Sequence, residues 1–422
     1  MEHRVLWIVN MVMPELASHL KIKTGASGTW MIDLSRRLVE EQNCKLAIAC
    51  IYGSELKKYS INGIVYYTVP GVPRNMYMYT PELGKYWNII NNEFKPDLVH
   101  LHGTEYSHGL SFLRHHPTVP ALLTIQGIMH KIAEHAFDGI TLKEAVLSNT
   151  LKELIHFNGM YANNLLRKRN LKYETEIISR VKYVTGRTDW DKSFVCNINP
   201  NIEYFRVFYN LRDVFYDTPK WNIHKIERYT IYGSTSLQAI LKGGHILLRA
   251  INIVKRKYPN VKAYFLLDNT IDNRFQVNNG FGLIVKKIID KYHLSENVYC
   301  IPRQNAQGVI DHMLNCHCAV IPSAMENASA TLREAMHLGV PCVAAYRGGM
   351  AELINEAEDG FLYDFPEHEV LASKICTIFA NDSLAVKLSK NAIEKASNWH
   401  DRMKNPKDMD NVYKAILKKE KE

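Results

Sequence analysis

Residues 318–345 read CAVIPSAMENASATLREAMHLGVPCVAA, and this stretch decides how the second half of the chain folds. The apolar run Cys318 to Ile321 predicts a short buried strand. A polar loop follows it, in which Asn327 or Ser329 can cap a helix. The next apolar run, Pro341 to Ala345, predicts another strand. A strand, a helix and a second strand in this order indicate one unit of a parallel α/β sheet.

The same alternation of apolar runs and helix-period segments recurs along the whole chain. The runs that predict strands are Val5–Val9, Lys45–Ile51, Ile64–Val69, Asp97–His102, Ala121–Ile125, Tyr229–Tyr232, Lys262–Leu267 and Val298–Ile301. Strands that alternate with helices favour an α/β fold with parallel, doubly wound sheets. Such sheets bind ligands at the carboxyl ends of their strands.

The length of 422 residues exceeds what one hydrophobic core usually spans, so two domains are expected. The periodic signal breaks near Tyr216–Arg228, where Pro219 interrupts it. We therefore predict a Rossmann-like domain over 1–211 and a hinge over 212–228. A second Rossmann-like domain is predicted over 229–397. A C-terminal helix within 398–422 can pack back on the first domain.

Composition restricts the partners and the compartment. The net charge of +9 suits anionic partners, but it is spread along the chain, so nucleic acid is not expected. The eight cysteines form no CxxC pair, which is typical of a reducing compartment. No run of eighteen apolar residues occurs. We expect a cytoplasmic protein, and peripheral contact with a membrane stays an open alternative.

The basic stretch Arg167-Lys168-Arg169 is either a solvated helix face or a contact with an anionic membrane or acceptor.

Two carboxylates stand eight positions apart in the opening stretch. Glu326 lies on the predicted loop, and Glu334 lies in the helix, where it could accept hydrogen bonds from a vicinal diol such as that of ribose. The amides at the helix start, at Ser329, Ala330 and Thr331, have no partners within the helix and can bind hydroxyls or phosphate oxygens. The alternative is an ordinary solvent-facing loop and helix.

The stretch resembles the E-x7-E signature of family 4 retaining glycosyltransferases. Their GT-B fold packs two Rossmann domains around a deep cleft. The similarity continues through Gly339-Val-Pro341 and Gly348-Gly349, and it is most specific over 317–362. Upstream, the run at 96–102 and the loop containing Gly25 and Gly28 stand where the family has comparable elements.

The resemblance implies roles for three residues. Glu326 faces the donor sugar, and Glu334 holds the ribose of the nucleotide. Lys242, which precedes Gly243 and a predicted helix, matches the lysine that neutralises the diphosphate leaving group. A cation is needed there because cleavage of the glycosidic bond places negative charge on the phosphate oxygens. Outside the resemblance, a lysine before a helix is usually only solvated.

The chain departs from the family pattern after the first strand of the second domain. The family usually has an arginine there, whereas this sequence reads Tyr232-Gly-Ser234-Thr235. Ser234 is predicted to contact the donor, but one of the two expected phosphate-binding cations is missing. Arg187 can supply the missing charge, as in the subset of the family with a similar G-R-T-x-W-D run. The alternative for Arg187 is a surface or hinge salt bridge.

The first domain carries the remaining predicted contacts. Gln126 replaces a histidine of many relatives; it cannot act as a general base, but it can hydrogen-bond a sugar hydroxyl. His102 is a second candidate for the acceptor or sugar, although packing of His100 and His102 at a strand end is the alternative. The Gly28 amide is predicted to bind an oxygen of the donor. Asp189-Trp-Asp191 resembles a D-x-D motif, but we expect no metal site in this context.

These features predict a hexosyl-type retaining glycosyltransferase that uses a nucleoside-diphosphate sugar and a glycan or lipid-linked acceptor. The resemblance implies a role in cell-surface polysaccharide synthesis, with no cofactor and no metal. Two alternatives stay open. One is a sugar-nucleotide 2-epimerase, which needs no acceptor; the other is a catalytically silent protein that binds a nucleotide sugar.

Overall fold

The computed structural model describes residues 3–23, 28–71, 79–233, 237, 239–266, 277, 279–302 and 304–422. The chain forms two compact units. The first comprises Met1–His130, Arg169–Arg212 and Trp399–Glu422, and the second comprises Lys131–Lys168 and Asp213–Asn398. This division differs from the predicted limits because residues 131–168, placed by sequence in the first domain, pack with the second unit.

The first unit is built on one sheet. Its described strands are β1 (His3–Ile8), β2 (Cys44–Ile51), β3 (Lys57–Ile61), β4 (Ile64–Val69), β5 (Leu98–His102), β6 (Ala121–Thr124), β7 (Tyr183–Gly186) and β8 (Glu203–Arg206). They run in the order β3-β4-β2-β1-β5-β6-β7-β8. All neighbours pair in parallel except β3 and β4, which form a hairpin at Asn62-Gly63. Both turn residues have positive φ, as a two-residue hairpin turn of the favoured hand requires.

The helices of this half of the chain connect the strands. They are α1 (Pro14–His19), α2 (Thr29–Glu40), α3 (Gly84–Phe94), α4 (His108–His115), α5 (Met129–Glu134), α6 (Leu142–Leu147), α7 (Leu151–His156), α8 (Met160–Arg180) and α9 (Asp189–Ile198). The central strand β1 is almost wholly buried, because helices cover both faces of a parallel sheet. One apolar cluster joins β1 to α2 and the C-terminal helix, and a second joins the sheet to α3 and α4.

The second unit contains a smaller, all-parallel sheet. Its described strands are β9 (Thr230–Gly233), β10 (Lys262–Leu266), β11 (Val298–Ile301), β12 (Cys318–Ile321), β13 (Cys342–Ala345) and β14 (Phe361–Tyr363). Its helices are α10 (Gly244–Lys257), α11 (Gly280–Lys291), α12 (Ala306–Asn315), α13 (Ala330–Leu338), α14 (Met350–Leu353), α15 (His368–Ala380) and α16 (Asp382–Trp399), and the chain ends with α17 (Lys404–Lys419). Among the described residues, no helix combines the length and the apolar character that crossing a bilayer requires.

The order of the strands determines where each sheet can bind a ligand. The second sheet runs β11-β10-β9-β12-β13-β14, which is the Rossmann order 3-2-1-4-5-6. Strand connections leave β9 and β12 in opposite directions, so the loops after these two strands diverge and leave a crevice. In the first sheet the same change of direction falls between β1 and β5.

Candidate functional site

Lys242 and Glu326 meet at the switch point of the second sheet. Lys242 ends a short 3-10 turn after β9, and Glu326 lies on the loop after β12. The Lys242 Nζ atom lies 2.5 Å from Glu326 Oε1, and Ser323 Oγ donates to the same oxygen at 3.1 Å. The lysine side chain is 48% exposed and the glutamate side chain 17%. Two residues 84 positions apart therefore form an ion pair that borders solvent.

Gly243 allows the two loops to approach each other this closely. Its φ is +71°, and a Cβ atom built there would lie 1.6 Å from the carbonyl oxygen of Pro322. The backbone amide of Ala324 donates to Leu241 O at 2.8 Å in the same contact. Because backbone atoms cannot yield to a methyl group as a flexible side chain can, only glycine fits here. The close packing of the two loops therefore explains why a glycine follows Lys242 in the sequence.

A second glycine supports the backbone of Glu326. Gly348 has a φ of +59°, and an added Cβ atom would lie 2.1 Å from Glu326 O. The amide of Gly349 donates to the same carbonyl oxygen at 3.1 Å. The Gly348-Gly349 segment after β13 therefore fixes the loop that carries the Glu326 carboxylate.

Helix α13 begins at Ala330, four residues after Glu326. Ser329 is its N-cap residue, and the Ser329 hydroxyl oxygen accepts a hydrogen bond from Leu332 N at 3.4 Å. The amides of Ala330 and Thr331 belong to the first turn, where intrahelical acceptors do not exist. The predicted binding groups thus lie at a positive helix end beside the Glu326 loop, and their contact with a donor stays a prediction.

Glu334 and Ser234 complete the donor-binding residues predicted for the second unit. Glu334 stands on the second turn of α13 and is half-buried, between the buried residues Arg333 and Ala335. Its carboxylate can accept two hydrogen bonds, as binding a diol requires. Ser234 lies outside the described residues.

Glu105 is a functional candidate that the sequence analysis missed. It follows β5, and its carboxylate accepts hydrogen bonds from Asn10 Nδ2 at 2.8 Å and from Gly127 N at 3.0 Å. Asn10 follows β1 and Gly127 follows β6, so three adjacent strand ends converge on this acid. Burial raises the pKa of Glu105 to about 7. This candidate could have been predicted from the sequence, because an acidic residue three positions after a predicted parallel strand lies at the edge of the sheet where ligands bind.

Glu174 of α8 organises the loop beside Glu105. Its side chain accepts hydrogen bonds from Thr104 Oγ1 at 2.6 Å, from Met129 N at 2.8 Å and from His130 N at 2.9 Å. His130 Nδ1 contacts the same carboxylate. The negative charge of Glu174 raises the pKa of Glu105 further, because it disfavours a second negative charge nearby.

Arg187 and Gln126 are neighbours in the first unit. Arg187 Nη2 donates to the carbonyl oxygens of Ile125 at 3.1 Å and Gln126 at 3.5 Å, and the guanidinium lies 5.1 Å from the Tyr209 ring centroid. Arg187 is 7% exposed, and its Nε atom is buried without a hydrogen-bond partner in the described part of the chain. The arginine thus fixes the Gln126 backbone; its contact with a phosphate and that of Gln126 with a sugar stay predictions.

The acidic pair Asp189 and Asp191 is occupied by other contacts. Asp189 forms an ion pair with Arg206 at 2.6 Å, and Asp191 accepts from Arg187 N at 3.1 Å and from Tyr204 Oη. Within the described ranges, no cluster of three or more His, Cys, Asp or Glu side chains is arranged to hold a metal ion.

His102 packs within an aromatic cluster. Its ring lies 4.4 Å from that of Trp7, 5.6 Å from that of Trp30 and 4.0 Å from that of His100. Burial lowers its pKa to about 3, and neither ring nitrogen has a partner among the described residues. His100 bonds to Tyr413 Oη at 2.7 Å and to Thr124 Oγ1 at 2.6 Å. Because His102 is only 1% exposed, its ring does not reach the surface, and its predicted contact with a sugar stays a prediction.

Gly28 is the N-cap residue of α2. Its φ is +70°, and an added Cβ atom would lie 2.3 Å from Met11 Sδ. The left-handed backbone and the close contact both favour glycine. Binding of a donor oxygen by the Gly28 amide stays a prediction.

Comparison with known sequences gives partial matches. Residues 227–395 match the family model described as glycosyl transferases group 1. The D-inositol 3-phosphate glycosyltransferase of Corynebacterium urealyticum is 22% identical over 163 residues, which cover 38% of this chain and 37% of that protein. The sucrose-phosphate synthase of Spinacia oleracea is 25% identical over 157 residues, covering 36% of this chain and 15% of that protein. The chain therefore matches well under half the length of these curated relatives.

Solved structures resemble the chain over almost its whole length. The sucrose-phosphate synthase of Thermosynechococcus elongatus superposes with a TM-score of 0.72 at 13% identity, covering 98% of this chain and 99% of that chain. Anabaena HepE in complex with UDP and glucose gives a TM-score of 0.67 at 15% identity over 98% and 99%. WaaG, a glycosyltransferase involved in lipopolysaccharide biosynthesis, gives 0.63 at 12% identity over 97% and 99%.

The region matched by the family model contains Lys242, Glu326 and Glu334, and hence the switch point of the second sheet. The first two structural neighbours each cover 98% of this chain, and hence the segments that form both sheets. The chain therefore has the GT-B fold, and its residues 227–395 carry the sequence pattern of the glycosyl transferases group 1 family.

Proposed function

We propose that this chain is a family 4 retaining glycosyltransferase, which moves a hexosyl group from a nucleoside-diphosphate sugar to a glycan or lipid-linked acceptor. The observation that carries the proposal is the Lys242–Glu326 pair at the switch point of a Rossmann-ordered sheet. The pair lies in the region similar to glycosyl transferases group 1. The complex of Anabaena HepE with UDP and glucose supports a hexosyl donor.

In the proposed donor complex, the diphosphate replaces Glu326 as the ion-pair partner of Lys242. A diphosphate carries more negative charge than a carboxylate, and it also interacts with the amide end of α13. The half-exposed lysine can turn toward it without an unfolding step, because its ion pair borders solvent. The Glu326 carboxylate is then available to hydrogen-bond hydroxyls of the donor sugar, while Glu334 binds the ribose diol.

Retention of configuration follows if the acceptor hydroxyl attacks from the face that the diphosphate leaves. The bond between the anomeric carbon and the phosphate oxygen breaks, and a bond to the acceptor oxygen forms on the same side. The leaving phosphate oxygen takes the proton of the acceptor hydroxyl. Lys242 stabilises the charge that develops on the diphosphate, which is the electrostatic contribution that catalysis needs here.

The first unit supplies the acceptor side in this proposal. Glu105 has a pKa of about 7, so near neutral pH it is present both as a hydrogen-bond donor and as an acceptor. The adjacent Gln126 adds an uncharged amide. A hydroxyl of the acceptor sugar can bind to these groups without a metal or a cofactor, neither of which the proposed reaction requires.

The proposed setting is synthesis of a cell-surface polysaccharide from the cytoplasmic side. The support is the fold similarity to WaaG, which is involved in lipopolysaccharide biosynthesis. We also propose that Arg187, in the G-R-T-x-W-D run, replaces the arginine missing after β9. Its buried Nε atom lacks a partner in the described residues, which leaves one donor for an anionic ligand.

A donor panel tests the proposed function. The protein is incubated with UDP-, GDP- and ADP-sugars, and the melting temperature is measured first, because a ligand of the native state raises it. Release of nucleoside diphosphate is then measured with a panel of sugar acceptors, and the anomeric configuration of the product is determined by NMR. Transfer with retention supports the proposal. A modified sugar nucleotide formed without acceptor indicates the epimerase, and binding without turnover indicates the silent protein.

A further inference from the structure

The segment 141–168 carries a concentration of exposed apolar side chains. Among the described residues, eighteen large hydrophobic residues are exposed, and ten of them lie between Leu142 and Leu166. Phe157 is 85% exposed and Leu151 is 79% exposed. Isolated exposed hydrophobic residues are common on proteins, whereas ten of them within 25 consecutive residues indicate a binding surface. We call the exposed hydrophobic residues of 142–166 the apolar face.

The apolar face belongs to ordered helices that are attached to the second unit. His245 Nε2 lies 3.1 Å from Asp138 O, and Arg249 Nη1 donates to Gly139 O at 2.8 Å. The start of α11 packs so closely that a Cβ atom on Gly280 would lie 1.7 Å from Ser148 O. The inner side of the segment is therefore packed, and the apolar face is its outer side.

Helical spacing puts the exposed residues together. On α7, Leu151, Leu154 and Ile155 are exposed at positions i, i+3 and i+4, while Glu153 between them is buried. On α8, Tyr161 and Leu165 are one turn apart, and the next residue in this row is Lys168. Residues at these spacings lie on one face of a helix. The exposed row on α8 therefore ends in the cationic side chain of Lys168.

The acidic residues of the segment do not offset this positive charge on the outer side. Glu144 accepts hydrogen bonds from Thr141 N at 2.8 Å, and Glu153 accepts from Thr150 N at 2.9 Å, each as part of a capping box. Both carboxylates are therefore held at helix starts, whose positive ends they neutralise. The segment carries two acidic residues against the four cations Lys143, Lys152, Arg167 and Lys168.

We infer that the apolar face docks onto the surface of an anionic lipid bilayer. Short helices with apolar side chains on one face and lysines at its edge lie in the membrane interface, where the ammonium groups reach the headgroups. Phe157 and Tyr161 add aromatic rings, which favour this depth. A second copy of the chain fits less well, because a twofold contact pairs this face with itself. Its four cations would then meet only Glu144 and Glu153, both of which are held in capping boxes.

The test uses the full chain and sedimentation with lipid vesicles, without any sugar substrate, so its outcome is independent of the proposed function. The wild type should bind vesicles of phosphatidylcholine mixed with phosphatidylglycerol more tightly than pure phosphatidylcholine vesicles. Raising the salt from about 0.1 M to about 1 M should weaken binding, because the screening length falls from about 10 Å to about 3 Å. The variant Lys168→Glu should weaken binding to the mixed vesicles only.

The triple variant Leu151→Ser, Ile155→Ser, Phe157→Ser should lose about tenfold or more in vesicle affinity. Its melting temperature should stay close to that of the wild type, because these side chains are exposed. Val386→Ser replaces an exposed apolar side chain on α16, outside the segment 141–168. It is the control and should bind as the wild type does. Absence of vesicle binding by the wild type, or equal binding by the triple variant, overturns the inference. A concentration-dependent dimer that the triple variant abolishes also overturns it.

Discussion

Replacing Lys242 by methionine removes one positive charge from the proposed donor site and keeps most of the side-chain volume. Two unit charges about 4 Å apart interact by about 4 kcal/mol when the effective dielectric constant is near 20. Part of this interaction energy is already present when the donor is bound, so we expect a loss of about 2–4 kcal/mol of transition-state stabilisation. This loss corresponds to a decrease of about 30- to 1,000-fold in turnover. Folding stability should change by less than about 1 kcal/mol, because the lost ion pair is solvent-exposed.

The assay is the initial rate of nucleoside-diphosphate release at saturating donor and acceptor. Lys286→Met is the matched control, because Lys286 is about equally exposed and pairs with Asp290 at 3.1 Å within α11, a helix that carries none of the predicted site residues. The double variant Lys242→Met, Glu326→Gln should recover part of the donor affinity, since it removes the carboxylate left without its lysine. A Lys242→Met enzyme that folds and turns over within about threefold of the wild type would refute the electrostatic role.

Three further predictions test other parts of the account. Glu334→Gln should weaken donor binding by about 10- to 100-fold, because hydrogen bonds to a charged group contribute about 1.5–3 kcal/mol; unchanged affinity in titration calorimetry would rule out the ribose contact. Gly243→Ala should abolish activity and lower the melting temperature. At Gly53 an added Cβ atom meets none of the described atoms within 4 Å, so Gly53→Ala should lower the free energy of unfolding by only about 1–2 kcal/mol. Similar losses in the two variants would contradict the steric explanation. The pKa of Glu105 is about 7 in the native state and 4.5 in the unfolded chain. Between pH 4.5 and pH 7 the native state therefore binds one proton more than the unfolded state does. The free energy of unfolding should fall as the pH rises through this window. The fall is at most about 3 kcal/mol and should disappear in Glu105→Gln; an identical pH dependence of urea unfolding in that variant would contradict it.

The meeting of Lys242 and Glu326 could be predicted from the sequence. Each residue follows an apolar run that predicts a strand, and parallel strands bring their carboxyl ends to one edge. The helix start at Ser329 was also readable, because serine before a helix-period segment is a common cap. These local patterns repeat the same α/β unit along the chain, which is why the fold class followed from them and the solved neighbours agree with it.

Other features depend on contacts between distant segments, which a local pattern does not encode. The helical pattern that begins near Thr141 does not show which sheet its helices pack on. The place of residues 131–168 in the second unit was therefore missed. The pKa of Glu105 is raised because three loops bury its carboxyl group: the loop after β5, which carries Glu105, and the loops after β1 and β6. The strand Lys57–Ile61 was missed because it is an edge strand without an apolar run.

The most direct test of the central claim is a crystal structure of the chain with a bound nucleoside diphosphate. We predict that an oxygen of the diphosphate lies about 3 Å from Lys242 Nζ, beside the start of α13, and that Glu326 no longer contacts the lysine. A diphosphate bound elsewhere, with the Lys242–Glu326 pair still intact, would contradict it.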